Sequence, residues 1–63
     1  MRVFQHYKGG LYEFLHEGYL EENHRQVVVY RALNSGNVYV RPAVEWHQIL
    51  VNGAPRFKLL WEV

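Results

Sequence analysis

Residues 27–42 constrain this chain most: Val27-Val28-Val29-Tyr30-Arg31-Ala32-Leu33, then Asn34-Ser35-Gly36-Asn37, then Val38-Tyr39-Val40-Arg41-Pro42. Two β-branched and aromatic runs flank a cluster of turn residues, which is the pattern of a β-hairpin. Branched side chains lose little freedom on a pleated surface, while Asn, Ser and Gly accept the backbone angles of a tight turn.

The preceding segment extends the pattern. Lys8-Gly9-Gly10 reads as a turn after a short strand over residues 2–7. From Leu11 onward, Tyr12, Phe14, His16, Gly18 and Leu20 alternate with Leu11, Glu13, Leu15, Glu17 and Tyr19. Period two with glutamates on one side predicts a half-buried strand with the even set inward. A turn at Glu22-Asn23-His24-Arg25 follows.

With Asn23-His24 at its tip, Leu20 faces Val27, Gly18 faces Val29, His16 faces Arg31 and Phe14 faces Leu33. A four-residue loop at Asn34–Asn37 sets Leu33 opposite Val38, Arg31 opposite Val40 and Tyr30 opposite Arg41. An odd loop would oppose Arg31 and Arg41, and directly opposed like charges are unfavourable. The expected core face then holds Phe14, Leu20, Val27, Val29, Leu33, Val38 and Val40. The outer face carries Glu17, Tyr30 and Arg41 in a row, beside Tyr19, Val28 and Tyr39.

Pro42 closes the strand and opens a helical turn near residues 43–47. Asn52-Gly53 marks another turn. The last strand, Arg56 to Val63, alternates with Phe57, Leu59, Trp61 and Val63 inward and Arg56, Lys58 and Glu62 outward. The fold class expected is mostly β: a small antiparallel SH3-like barrel of about five strands, occupying residues 1–63 as a single domain.

Sixty-three residues lie near the lower limit for independent folding, and the chain has no cysteine. Disulfides and cysteine-bound zinc are excluded, so five Tyr, three Phe and two Trp must supply the core. No apolar run reaches the ~20 residues of a membrane span. A cytoplasmic location is the expectation, since cysteine-free chains suit a reducing compartment. Net charge is +1, well short of the basic footprint of a dedicated nucleic-acid binder.

His6-Tyr7-Lys8-Gly9-Gly10-Leu11-Tyr12, Val29-Tyr30-Arg31-Ala32-Leu33, Val40-Arg41-Pro42 and Pro55-Arg56-Phe57 follow one another in order. Together these motifs resemble the small bacterial domain-of-unknown-function family 1653, over nearly the whole chain. The family carries a tryptophan where Tyr39 stands, a phenylalanine where Trp46 stands, and a Thr-Gly-Glu type of turn near residues 21–25. The resemblance implies a compact β-rich domain and brings no established activity.

The chemistry-bearing residues sort as follows. Lys8-Gly9-Gly10 has the glycines and lysine of an anion-cradling loop, but no Walker pattern surrounds it, and a plain turn is the simpler reading. His6, His16, His24 and His47 lack ligand spacing, so no metal or cofactor is expected. Arg31 falls on the expected inner face opposite His16. It either snorkels or pairs with a carboxylate, or it lines a pocket for an anion, which guanidinium grips bidentately. Tyr30, Tyr39 and Arg41 either cover the sheet or stack on a ligand. Arg56 after Pro55 is expected to fix the last loop through backbone carbonyls.

Ser35 is the only serine, and Asp and Thr are absent. The expectation is therefore no enzyme, but a binding or accessory module using Lys8, Tyr30, Arg31, Tyr39, Arg41 and Arg56. A protein or peptide partner is favoured over nucleic acid, whose binding by arginine and aromatic stacking is the alternative. A weak homodimer that completes a marginal core is the third reading.

Overall fold

A computed structural model covers residues 1–63. Its strands are β1 (Arg2–His6), β2 (Leu11–Tyr19), β3 (Gln26–Ala32), β4 (Val38–Pro42) and β5 (Phe57–Glu62), with one helical turn, α1 (Ala43–Trp46), ahead of β5. All strands lie in one antiparallel sheet in the order β4-β3-β2-β1-β5. The expected mostly β architecture, strand number and helical turn are all present. No helix is long and apolar enough to cross a membrane.

The closed SH3-like barrel is not formed. Closure requires hydrogen-bonded ladders all the way round, and here β4 and β5 are edges with no ladder between them. The sheet curls instead, bringing the Arg41 guanidinium of β4 to 5.6 Å from the Phe57 ring centroid of β5. Between the edges sits Trp46, 3% exposed, with ring centroids 4.0 Å from Phe57, 5.0 Å from Phe4 and 5.0 Å from Tyr30. An indole in that space closes the core with side chains where a barrel would use backbone.

Both β2–β3 and β3–β4 loops have the anticipated even length, but each lies one residue earlier than expected. Leu20 N donates to Arg25 O at 2.9 Å, and Ala32 N donates to Asn37 O at 2.9 Å. The pairs are accordingly Gly18↔Val27, Glu17↔Val28 and His16↔Val29 in one hairpin, and Val28↔Arg41, Tyr30↔Tyr39 and Arg31↔Val38 in the other. A local device sets this register. In each loop a side-chain oxygen accepts the amide two residues on: Asn23 Oδ1 from Arg25 N at 2.9 Å and Ser35 Oγ from Asn37 N at 3.2 Å. The residue between takes a positive φ, 57° at His24 and 75° at Gly36. Such turns are built by Asn and Ser side chains bonding the backbone two residues ahead. Asn52 Oδ1, which accepts from Ala54 N at 3.0 Å, and Gly53, with φ 86°, repeat the device in the loop before β5.

A register shift between Phe14 and His16 then leaves Leu15 as an extra residue. The bulge turns Phe14 and Tyr12 to the side of Tyr30 and Ala32, with which they pair. This reverses the expected inside and outside. The core face holds Val28, Tyr30, Trp46 and Phe57, with Phe4, Tyr12, Phe14 and Ala43 packed against them. Phe14 is in the core, as expected, and Val27 is buried too. Leu20, Leu33, Val38 and Val40, expected inside, are exposed, and Val28 and Tyr30, expected outside, are buried.

The physical reason is area. Each aromatic ring buries more surface than a valine, and one face gathers six of them: Phe4, Tyr12, Phe14, Tyr30, Trp46 and Phe57. A second bulge, between Val3 and Phe4 in the β1–β5 ladder, breaks the expected alternation of the last strand. Phe57 is buried, whereas Leu59, Trp61 and Val63 are exposed.

Candidate functional site

The site lies where the β1–β2 turn, the middle of β4 and the start of β5 meet. Alternation along β1 places His6 on the same side as Phe4. His6 pairs with Phe57, and the two rings meet edge-on at 4.9 Å. The imidazole also lies 4.5 Å from the Tyr7 ring and 6.4 Å from the Tyr12 ring. Its Nδ1 accepts the Lys8 amide at 3.2 Å, which leaves the proton of the neutral ring on Nε2.

Cations surround this platform. The Lys8 ammonium lies 5.8 Å and the Arg56 guanidinium 5.6 Å from the Tyr7 ring centroid. Arg41 Nε donates to the Tyr30 hydroxyl at 3.2 Å and Nη1 to Glu45 Oε1 at 3.2 Å. The Tyr30 bond is the main influence holding the Arg41 pKa above its ordinary value, and partial burial opposes it. Arg56 Nε and Nη2 both donate to Gln48 Oε1, at 3.0 and 2.7 Å. Arg56 thus anchors the loop through a side-chain amide, rather than through the backbone carbonyls expected. Both guanidiniums retain N–H donors beyond these bonds, since each has five.

The His6 pKa lies below its ordinary value of 6.5 for reasons that describe the site. Burial comes first, followed by the fields of Arg41, Arg56 and Lys8. No carboxylate offsets them there. The Glu45 carboxylate is held by Arg41.

Of the six expected site residues, Lys8, Arg41 and Arg56 converge around His6. Tyr30 supports them from below, 5% exposed, as the acceptor for Arg41. Tyr39 stands beside it, half in solvent, with ring centroids 5.9 Å apart. Arg31 does not belong. It sits on the opposite face of the sheet, 45% exposed, paired with Glu13 at 3.4 Å. The reversal of faces moved it there, and it meets His16 in neither strand register nor contact.

Sequence reasoning missed His6, Tyr7, Tyr12 and Phe57 as site residues. Period two along β1, which sets His6 with Phe4, was the available signal. Gly10 completes the wall: a Cβ there would lie 3.0 Å from the Tyr12 ring, which would have to shift to admit one. No three histidine or carboxylate groups come together as a metal site would need.

A family model described as a protein of unknown function, DUF1653, matches residues 2–59. No characterised protein and no solved structure matches the chain. The match spans β1 to β4, the start of β5 and every residue of the cationic platform, and the chain belongs to the DUF1653 family.

Proposed function

We propose that this domain is a non-catalytic binding module whose partner is an acidic segment of a protein or peptide. One observation carries the reading: Lys8, Arg41 and Arg56 arrive from three separate parts of the chain at one ring platform, with His6 at its centre. Gathering like charges costs free energy, and an anionic partner would offset it. Exposed Tyr7 and Tyr39 flank the cations, and tyrosines beside arginine make rigid, amphipathic anchors for a peptide chain.

Amide NMR titration of the full chain with a poly-glutamate peptide tests this, with a single-stranded oligonucleotide of equal charge as the second arm. Saturable shifts at residues 6–8, 39–41 and 56–57 with the peptide are expected. Stronger binding of the oligonucleotide, fading steeply with salt, would transfer the site to nucleic acid. Silence from both at low salt would remove the proposal.

A further inference from the structure

Behind His6 lies a cleft of about 350 Å³, between the β1–β2 turn and the loop before β5. Gln5, His6, Tyr7, Asn52 and Lys58 line it, and no carboxylate does. We propose that this cleft is an oxyanion site, holding a carboxylate or phosphate group against the Lys58 ammonium, the His6 imidazole and the Asn52 amide. The proposal deepens the peptide reading at their shared residue, His6. It rests on that reading only for the claim that the anion is carried by a polypeptide.

Asn52 and His6 are turned into donors by their own local bonds, while Gln5 Nε2 donates to Gly9 O at 3.3 Å. Asn52 Oδ1 is taken by the Ala54 amide at 3.0 Å, so the unspent part of its side chain is the NH₂ group. His6 Nδ1 is taken by the Lys8 amide at 3.2 Å, leaving Nε2–H as the donor. Lys58 has three N–H donors and makes no ion pair, since the two pairs in the molecule are Arg31–Glu13 and Arg41–Glu45. Tyr7, which walls the cleft, carries Lys8 and Arg56 against its ring. Free donors from Asn52, His6 and Lys58, no carboxylate and a concave wall of this size suit a small anion.

Proton linkage gives the site a signature. The charged and titratable groups around His6 are Lys8 in the turn, Tyr7, Tyr12 on β2, Arg41 on β4, and Arg56 and Lys58 at β5. Burial and the cations among them oppose a proton on His6, and a bound anion would offset that opposition. Anion and proton therefore assist each other by the same factor.

The test uses the full chain with inorganic phosphate and with acetate, at ionic strength held constant by chloride. Amide shifts are expected at Gly9, Asn52 and Lys58 but not at Val40 on β4, at the other end of the strand order. The His6 ring titration should move upward when the anion is present. Lys58→Gln should weaken binding about tenfold, the loss of one charge-assisted bond, with an unchanged folded spectrum. Phosphate binding alone assigns the cleft to a phosphate group, and binding of both anions assigns it to carboxylates as well. No saturable shifts with either anion, or equal binding by Lys58→Gln, would overturn the proposal. Anion binding without any effect of poly-glutamate would uphold the cleft and remove the peptide reading. Peptide binding with no anion response at these residues would do the reverse.

Discussion

The two faces of the sheet carry similar amounts of apolar sequence and opposite structural roles. On the concave face, Val28 is 0% exposed and the aromatic rings interlock around Trp46. On the back, Val40 is 56% exposed, and Leu33 and Val38 are also open to solvent. The two arginines once assigned to one site divide in the same way. Arg41, on the concave side, is held by a buried tyrosine and a glutamate, whereas Arg31, itself exposed, has the single partner Glu13. Hydrophobicity alone did not select the core. The face that could assemble rings around a single indole did, because ring contacts at 4–6 Å bury more area and add edge-to-face attraction.

This contrast is breakable by mutation. Trp46→Ala is expected to cost ~3–5 kcal/mol, most of the stability of a domain this small; circular dichroism and urea melting should show a largely unfolded chain. Val28→Ala should cost about 2 kcal/mol, from two buried methyl groups and the cavity left behind. The same change at Val40 should stay within about 0.5 kcal/mol. Equal losses at the two valines would mean that the faces are not distinguished as described.

Tyr30→Phe removes the acceptor for Arg41 and should cost about 1 kcal/mol in urea melts, without moving the backbone shifts of the back face. Arg31→Gln should cost at most ~1 kcal/mol, since an exposed ion pair contributes little, and less at high salt. A larger loss there than at Tyr30 would invert the comparison.

His6 supplies the finest test. Its folded pKa lies below the ordinary 6.5, so the unfolded chain takes up the proton first as pH falls. Stability should therefore decline as pH drops from about 6.5 toward the lowered folded value, and level off below it. His6→Gln should remove that part of the pH dependence, and urea melts of the two proteins across the range measure the difference.

Much of the fold was legible because it is local. β-branched runs, Asn-Ser-Gly clusters and Pro42 act over a few residues, so strand order along the chain, even loop lengths and the turn at 43–46 could be read directly. Even the grouping of residues within the β3–β4 hairpin was correct, with Arg31, Val38 and Val40 on one side and Tyr30, Tyr39 and Arg41 on the other. What could not be read was which side is the inside. That choice turns on the bulge at Leu15, a shift of one position in a pattern of period two, whereas the early loop closures slide each pairing by a whole period and leave the faces as they were.

The site followed the same division. Lys8, Arg41 and Arg56 stood out as cations beside aromatics, but nothing in the order of residues brings positions 8, 41 and 56 together. His6 gained its place from pairing with Phe57, a contact between the first strand and the last.

The sequence by itself determined five β segments, their turns and an aromatic core unaided by cysteine, because these depend on local backbone preference and composition. The tertiary structure decided which face is covered, that the sheet curls around Trp46 without closing, and that His6 lies among three cations. Those outcomes depend on where distant side chains meet, and one bulge is enough to exchange inside and outside.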